Sequence, residues 1–558
     1  MPSGLLTDRD GAASPRAHAS ERRRAWEAVP RFETIALAAY ALLISVVSAF
    51  HEPWKDETQA WRMAIDSHGL AELVRNARYE GHPLFFHVLL QAVGLLSRSW
   101  WAAVALHVVV ACSAAWIVLR YAPFTRLQKV LIVFGYWSAY EYSVVVRPYG
   151  LGMMLAFAAC VAWLQPRRRI AWTIVCLLLL ANTTAMGTML AMAMAGAFAF
   201  DWAWPDDVAR RPSARKLAMV GAIALAATLV VLYFVAAQII PPADAVYQGE
   251  AAARFSRWDL ASLPTYELRA LFPIVVVGKD GVEWSRWVLR PDSRNALAFG
   301  LCISLIMLTV GLLMAARRRV SLVFYGVGTA GLIVFFGFIL PGTAHHHGYL
   351  FLVWVITAWM AWGAAPSERP HLLRRLTERV DRRRSILFAI SLIPPVIATA
   401  EHAVGEVRQP FADAMHVADV IRGDGLADGP LIGMVRSDAQ AVGAFLDRPI
   451  LFPVEGRLST FVDWGAPWSG PAARHAADSA TTALLERHCR VVLIASVAKD
   501  VGGKLAARGQ LLYSSPRRPM SGDLDRVWVI AAPPSARCPA GRYPSSPPAS
   551  TPRPAPPS

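Results

Sequence analysis

Apolar runs long enough to cross a lipid bilayer recur along roughly the first 400 residues and are separated by short polar segments. A helix crosses a hydrocarbon core about 30 Å thick with roughly 20 apolar residues. The chain is therefore predicted to be an α-helical polytopic membrane protein with about eleven or twelve spans. The predicted spans are 34–50, 83–97, 100–119, 127–142, 148–164, 170–183, 185–202, 217–239, 296–316, 320–340, 347–363 and 385–401.

The composition agrees with this pattern, because 55% of the residues are hydrophobic and the mean hydropathy is +0.37. A formal net charge of +16 would suit a nucleic-acid-binding protein if the basic residues formed one patch. They instead cluster between apolar runs, as in cytoplasmic loops under the positive-inside rule. We therefore expect a multi-pass protein of the inner (plasma) membrane, in contact with membrane lipids and with no nucleic-acid partner. The clusters are 167–169, 210–211, 317–319 and 374–384.

The orientation follows from the same rule. The basic stretch 22–24 precedes the first span, which should therefore start in the cytoplasm and end outside. The two long external loops are then residues 51–82 and 241–295. One conflict stays open, because the basic segment 120–129 also looks cytoplasmic although two apolar runs separate it from the first external loop. Either one run within 83–119 is a re-entrant or interfacial helix, or the basic segment is misplaced.

After residue 402 the composition changes to that of a small water-exposed domain. Short buried strands are predicted at 431–435, 491–495 and 527–530, with helices between them at 439–446 and 476–486. This alternation predicts a small α/β domain, external by the parity of the spans. The predicted organisation is a disordered cytoplasmic N-terminus (1–30), a transmembrane domain (31–402), an external α/β domain (403–535) and a disordered Pro/Ser-rich tail (536–558).

The six cysteines fall into two groups. Cys112, Cys160, Cys176 and Cys302 lie in apolar runs and are interpreted as small core residues. Cys489 and Cys538 lie beyond the last span, and they could form a disulfide if this region is external.

The first external loop contains an acidic pair, Asp56 and Glu57, shortly after the first span ends. The following residues, 58–77, have the periodicity of a helix that lies along the membrane interface. Two interpretations stay open. The carboxylates cap this helix and favour the positive end of its dipole, or one of them is a base at the membrane surface, where a lipid-linked substrate would present its reactive group.

Three further segments could carry chemistry at the same boundary. His82, followed by Pro83, begins an apolar run, and a helix N-terminus there would suit an anion. Arg147 lies between two apolar runs at the external end, where an isolated arginine is unexpected and a phosphate is a good partner. The side chains of the three consecutive histidines 345–347 would point in different directions on a helix. Such spacing is poor for a metal and better suited to contacting a phosphate or a sugar.

Together these segments resemble the membrane glycosyltransferases of the GT-C fold, and most closely the bacterial branch related to protein O-mannosyltransferases and to the lipid A aminoarabinose transferase. The family carries an Asp-Glu pair in the first external loop, a His- or Lys-Pro-Pro-Leu motif at the next span and an Arg-x-Tyr-x-Leu motif. This chain departs in having one proline after His82 and a histidine at 345 where arginine is expected. The matching runs are Asp56-Glu57, His82-Pro83-Leu84, Arg147-Pro148-Tyr149-Gly150-Leu151 and His346-His347-Gly348-Tyr349-Leu350-Phe351.

The resemblance implies a GT-C-like enzyme that moves a sugar from a polyprenyl-phosphate donor to a lipid, glycan or protein acceptor of the cell envelope. Transfer would occur on the external face with inversion at the anomeric carbon. Asp56 would be the base, and Glu57 would orient it or bind sugar hydroxyls. No metal is strictly required, although a divalent cation is compatible with the reaction. The substrate-binding residues that the resemblance implies are His82, Arg147, Tyr149, His346 and His347.

Two other functions fit part of the pattern. A transporter or flippase of a lipid-linked or anionic solute would also place arginine and carboxylates at membrane depth. Its inverted repeat of broken spans is missing from the sequence, and the polar groups gather at one face rather than at the midplane. An accessory membrane protein whose α/β domain binds a partner would give Asp56 no chemical role. We therefore expect a glycosyltransferase.

Overall fold

The structure, a computed structural model, describes most of residues 31–531. The predicted disordered segments 1–30 and 536–558 and part of the second external loop lie outside the described residues. Between 31 and 531 the gaps are 165–168, 206–210, 241, 244, 246–264, 279–280, 288–293, 341, 364–370, 435–438, 465–470, 496–508, 516–518 and 523–525.

The chain up to residue 408 is built mainly of helices. In chain order they are α1 Arg31–Phe50, α2 Lys55–Asp66, α3 Leu70–Asn76, a 3₁₀ turn Ala77–Tyr79, α4 Phe85–Gly94, α5 Trp100–Tyr121, α6 Arg126–Val133, a π-helix Trp137–Glu141, α7 Tyr149–Leu164, α8 Ile170–Ala181, α9 Ala185–Ala203, α10 Ala214–Ile239, α11 Thr265–Leu271, α12 Arg294–Ala315, α13 Arg319–Phe338, α14 Ala344–Trp362, α15 His371–Ser391 and α16 Ile393–Arg408. An antiparallel hairpin of β1 (Val275–Gly278) and β2 (Gly281–Trp287) follows α11.

The predicted class, a polytopic α-helical membrane protein, is confirmed. Among the described residues, seven helices have the length and composition to cross a membrane, and three shorter apolar helices, α4, α7 and α8, accompany them. The helix α14 is the core of the bundle, since its residues from His347 to Ala361 are all buried. The seven long helices are α1, α5, α9, α10, residues Ala298–Ala315 of α12, α13, and Val380–Arg408, which joins α15 to α16.

The helix α4 resolves the conflict over residues 83–119. It has 10 residues and is therefore about 15 Å long, half the thickness of a bilayer core. It packs closely on α2, because a Cβ on Gly94 would lie 2.5 Å from Cγ2 of Ile65. Only α5 in this stretch has spanning length. The loop of residues 51–82 and the basic segment 120–129 therefore lie at opposite ends of α5.

Contacts between helix ends define two poles of the bundle. Asp201, at the end of α9, accepts a hydrogen bond from Trp163 Nε1 (3.2 Å) and lies 3.5 Å from Arg318. The neighbouring Arg317 pairs with Asp381 of α15 at 2.7 Å. The predicted cytoplasmic clusters at 317–319 and 374–384 therefore meet at one end, which we call the basic pole. The loops that join the opposite ends of these helices form the other end, which we call the site pole.

The prediction of one continuous interfacial helix over residues 58–77 is wrong. The chain instead forms α2 and α3, which are separated by a break at 67–69. Gly69 has a φ of +86°, a left-handed conformation that interrupts a right-handed helix and that glycine adopts at low cost. The apolar side of α2 is nevertheless as predicted, because Ala60, Trp61 and Ala64 are buried.

After α16 the chain forms a small α/β domain. Its elements are α17 Ala414–Gly423, β3 Leu431–Gly433, α18 Ala439–Leu446, β4 Ile450–Phe452, β5 Arg457–Ser459, α19 Pro471–Leu485, β6 Arg490–Ala495, β7 Gly509–Ser514 and β8 Arg526–Ala531. Six strands form one mixed sheet in the order β5-β4-β3-β6-β8-β7, with β3 parallel to β4 and β6. Alternate residues of β6 enter two separate apolar cores, one on each face of the sheet. The strands and helices predicted after residue 402 are thus confirmed.

The cysteines also follow the prediction in part. Cys112, Cys160, Cys176 and Cys302 are free, and all four lie in helices. Only Cys160 is buried, and the prediction of a core position is wrong for Cys302, which is exposed. Cys489 is disulfide-bonded. Its predicted partner, residue 538, lies outside the described residues.

Replacing Gly348 with alanine should destabilise the fold. A Cβ there would lie 2.3 Å from Oη of Tyr142 and 2.4 Å from Cε3 of Trp137, both buried. Overpacking of this kind costs about 1–3 kcal/mol, so the detergent-solubilised protein should unfold at a lower temperature, as followed by tryptophan fluorescence. Gly326→Ala is the matched control, because nothing lies within 4 Å of its Cβ position. Equal unfolding temperatures for the two variants would contradict this packing.

Candidate active site

The acidic pair begins α2 at the site pole, and its two carboxylates have different surroundings. Glu57 is buried, and its Oε2 accepts a hydrogen bond from the Trp54 amide (2.7 Å) and lies 3.0 Å from Nε2 of His51. Its Oε1 accepts a hydrogen bond from the Val146 amide at 2.6 Å. Asp56, by contrast, keeps 34% of its side chain exposed. The capping interpretation therefore fits Glu57, whereas Asp56 is the carboxylate that a substrate can reach.

Arg147 lies directly beside Asp56. Its Nη2 is 3.6 Å from Oδ2 of Asp56, and its Nη1 donates to the Asp56 carbonyl oxygen at 3.1 Å. Burial alone would lower the pKa of this guanidinium, but Asp56 and Tyr149 hold the pKa above its usual range, so the group is charged. Its Nε is buried and has no hydrogen-bond partner among the described residues. A buried cation with an unused donor suits an anionic ligand.

Two predicted substrate-binding residues flank this guanidinium. Nε2 of His82 lies 3.5 Å from Nη2 of Arg147, and the Tyr149 ring centroid lies 6.0 Å from the guanidinium carbon. Burial lowers the pKa of His82 to about 3, and the charge of Arg147 contributes to this shift. His82 is therefore a neutral imidazole, which can contact the cation without repelling it. The structure thus brings His82 next to Arg147 and Tyr149, although His82 lies 65 positions from Arg147 in the sequence.

The start of α14 adds two histidines to this group. His346 accepts a hydrogen bond from the Thr343 amide at 2.8 Å, and its ring lies 5.8 Å edge-on to Tyr149. His345 lies 5.1 Å from the ring of Tyr149 and is stacked on Trp284 of β2 at 5.5 Å. The residue at 345, which departs from the family motif, therefore forms part of the wall beside Arg147. Trp284 was not identified from the sequence, because nothing near it in the chain marks a site.

His347 lies on another side of α14. Its ring is 5.1 Å from the rings of Tyr266 and of Phe336, whereas the two preceding histidines pack on Tyr149. The structure therefore separates it from the other predicted substrate-binding residues. Within the described parts of the chain, no group of three or more His, Cys, Asp or Glu side chains is arranged to hold a metal ion.

A buried ionic network holds the start of α2 in place. His51 lies between two carboxylates, with Nδ1 at 2.7 Å from Glu406 Oε1 and Nε2 at 3.0 Å from Glu57 Oε2. Tyr140 of the π-helix donates a hydrogen bond to the same oxygen of Glu406 at 2.6 Å. Burial alone would lower the pKa of His51, but Glu406 and Glu57 raise the pKa well above 6.5. The imidazolium therefore ties α2 to the ends of α1 and α16.

Replacing His51 with alanine should destabilise the protein strongly, because it leaves two buried carboxylates without their counter-ion. Breaking a buried ion pair costs about 3–5 kcal/mol, measurable as a lower unfolding temperature in detergent. Adding Glu406→Gln to His51→Ala should restore part of this loss, since one of the uncompensated charges is removed. If the double variant is no more stable than the single one, the network is not held by charge.

The same network predicts that the stability of the protein depends on pH. The folded-state pKa of His51 is raised above 6.5. Its contribution to stability is therefore complete below about pH 6.5 and is lost as the pH rises through the folded-state value. Unfolding temperatures measured across this window should fall more for the wild type than for His51→Ala.

Glu80 is a further carboxylate of the site, and it was not identified from the sequence. Its Oε1 accepts hydrogen bonds from Nε2 of Gln59 (2.9 Å) and from Nε1 of Trp464 (3.2 Å). Burial raises the pKa of Glu80 to about 7, and the nearby charges of Asp56 and Arg147 act on it in opposite directions. The sequence feature that could have identified Glu80 is its position two residues before His82, a predicted substrate-binding residue.

Comparison with known proteins gives one structural match. No protein-family model matches the sequence, and no curated protein matches it. Among solved structures, the single-particle cryo-EM structure of arabinofuranosyltransferase AftD from Mycobacteria matches with a TM-score of 0.41 and 13% sequence identity. The match covers 90% of this chain and 40% of that one. AftD is an arabinofuranosyltransferase, and the present chain spans less than half of its length.

Proposed function

We propose that the protein is a membrane glycosyltransferase that moves a sugar from a polyprenyl-phosphate donor to a hydroxyl of a cell-envelope acceptor. The observation that carries this proposal is the contact between the accessible carboxylate of Asp56 and the buried cation of Arg147, 3.6 Å apart. Sugar transfer from a lipid phosphate needs a base for the acceptor and a group that stabilises the departing phosphate. The contact between Asp56 and Arg147 provides a base for the acceptor and a cation for the departing phosphate at the membrane boundary.

The proposed reaction is a direct displacement. The acceptor hydroxyl oxygen attacks the anomeric carbon, and the bond between that carbon and the phosphate oxygen breaks. The electron pair leaves with the polyprenyl phosphate, and the hydroxyl proton passes to Asp56. Attack from the face opposite the leaving group inverts the anomeric configuration. Negative charge grows on the phosphate during this step, and Arg147 stabilises it in a site from which much water is excluded.

The neighbouring residues support this division of roles. Neutral His82 can donate one ring N–H to a phosphate oxygen without repelling Arg147. Tyr149 and His346 form a ring surface beside the guanidinium, which suits packing against a sugar face. Glu57 positions Asp56 by accepting hydrogen bonds from the amide of Trp54, just before α2, and from the amide of Val146, next to Arg147. His347 has no role in this proposal, because its ring packs against Tyr266 and Phe336.

The proposal places the site pole and the α/β domain outside the cytoplasm, at the inner (plasma) membrane. The arginine clusters that meet at the basic pole support this orientation, since basic residues favour the cytoplasmic side. The disulfide at Cys489 supports it as well, because disulfides persist mainly in oxidising compartments.

Two measurements test the proposal. Purified protein in nanodiscs is incubated with synthetic farnesyl-phosphate pentoses and hexoses and with octyl glycoside acceptors, and mass spectrometry detects a product one sugar heavier. The masses of the surface glycolipids of a strain that lacks the gene are then measured by mass spectrometry as well. Loss of a single sugar supports the transferase. Loss of the whole glycan would favour a flippase, and an unchanged glycan would favour an accessory protein.

A further inference from the structure

The α/β domain is bound to α2, the helix that begins with the acidic pair. The side-chain amide of Gln59 donates to the Val462 carbonyl oxygen and accepts from the Val462 amide, each at 2.8 Å. One turn further along, Arg62 pairs with Asp447 at 2.9 Å. These contacts hold Val462 and Asp447 of the α/β domain against the part of α2 that borders the site.

Glu80 lies where this interface meets the site. Gln59 of α2 and Trp464 of the α/β domain both donate to its Oε1. No described residue donates a hydrogen bond to its Oε2, and the side chain is partly exposed. One oxygen is thus held by the two domains, and the other is left for a ligand beside Asp56 and Arg147, whose charges both act on Glu80.

The charge of Glu80 decides which substrate it can contact. A carboxylate repels the phosphate of the donor, which Arg147 attracts. A neutral polyhydroxyl acceptor offers hydroxyl donors, and a carboxylate that is already fixed through one oxygen is a good partner for them. Because Asp56 lies nearby, an acceptor held by Glu80 could present a neighbouring hydroxyl to the base.

We propose that Glu80 binds a hydroxyl of the acceptor and that Trp464 and Gln59 position it, so that the α/β domain completes the acceptor site. This inference rests on the proposed transferase function and names the binding residue for its second substrate. It also gives the α/β domain a part in the reaction.

The test compares three variants in the nanodisc assay, with a farnesyl-phosphate sugar as donor and an octyl glycoside as acceptor. Glu80→Gln keeps the shape and removes the charge. Trp464→Phe keeps an aromatic ring and removes the N–H that holds Glu80. Asp447→Asn is the matched control, since it weakens the same domain interface at Arg62 without touching Glu80 and its side chain is 82% exposed.

We expect Glu80→Gln to raise the KM for the acceptor roughly tenfold, the effect of losing one charge-assisted hydrogen bond. The KM for the donor should stay within about twofold, since the phosphate does not contact Glu80. Trp464→Phe should raise the acceptor KM by about threefold, because Glu80 then loses one of the two hydrogen bonds that position it. Asp447→Asn should change neither constant.

The pH profile is the second readout. Asp56 and Arg147 are the charged groups that act on Glu80, together with hydrogen bonds from Gln59 and Trp464. Protonation removes its negative charge, and its pKa is raised to about 7. The wild-type acceptor KM should therefore rise as the pH falls below about 7, and this rise should be absent in Glu80→Gln.

The outcomes separate the two proposals. An unchanged acceptor KM in Glu80→Gln, or an equal rise in Asp447→Asn, overturns the acceptor assignment while leaving the transferase intact. Failure of the wild-type protein to transfer a sugar from any of these donors overturns the proposed function and this inference with it. A selective rise in acceptor KM in the first two variants supports both.

Discussion

Replacing Asp56 with asparagine is expected to lower the rate of sugar transfer by about 10²–10⁴-fold, the usual contribution of a general base. The amide cannot take the acceptor proton, but it nearly preserves the shape of the side chain. Asparagine also removes the negative charge 3.6 Å from Arg147, which leaves the guanidinium freer to bind the donor phosphate. Turnover should therefore collapse while the donor affinity stays the same or increases, measured by single-turnover kinetics and by donor binding in nanodiscs.

This combination distinguishes a base from a structural residue. A merely structural role would weaken donor binding and lower the unfolding temperature together with the rate. Glu72→Gln provides the control, because Glu72 lies in the same loop on α3 and bonds only the amide of His68 among the described residues. Full turnover in Asp56→Asn would remove Asp56 from the reaction and leave Glu80 as the remaining carboxylate beside Arg147.

Replacing Arg147 with alanine should have the second large effect. Loss of a group that stabilises developing charge typically lowers turnover by about 10²–10³-fold. The donor KM should rise as well, because the same guanidinium attracts the phosphate in the ground state. Arg147→Lys should recover part of the rate, since it restores the charge without the planar fork of donors. Steady-state kinetics with varied donor concentration at saturating acceptor measures both effects.

Arg98→Gln is the matched control for this variant. Arg98 is an exposed arginine at the same pole that pairs with Asp66, so its loss should not change donor binding. If Arg147→Ala keeps the wild-type donor KM and turnover, the phosphate assignment is wrong. If the acceptor KM alone changes, the guanidinium contacts the second substrate instead.

The apolar pattern was sufficient to predict the class of fold. Spanning helices require long apolar runs whatever their neighbours are, because the bilayer provides no partners for backbone polar groups. Three of the six strands after residue 402, namely β3, β6 and β8, were likewise predicted from short apolar runs between turn residues. The strands β4, β5 and β7 were not predicted. The break at Gly69 was not predicted, because the flanking residues keep a helical period and only the backbone conformation interrupts it.

The candidate site was predicted in part. Asp56, His82, Arg147 and Tyr149 do lie together, as their family-like motifs suggested. The separate environments of Asp56 and Glu57 could not be read from two adjacent carboxylates, because only tertiary contacts bury one and leave the other accessible. His51 was overlooked for a similar reason, since its second partner, Glu406, is 355 positions away.

The sequence by itself determined that this chain folds as a multi-pass helical protein with a small α/β domain and that its arginine clusters 317–319 and 374–384 lie at the same end of the bundle. The hydropathy of a segment and the positions of its charges are properties of that segment alone. Each spanning helix and each cytoplasmic loop can therefore be predicted from its own residues. Only the tertiary structure decided which carboxylate is accessible, that Glu80 joins it and that the α/β domain reaches the site through Trp464. These properties depend on burial and hydrogen bonds between segments nearly 400 residues apart, and no local pattern encodes such contacts.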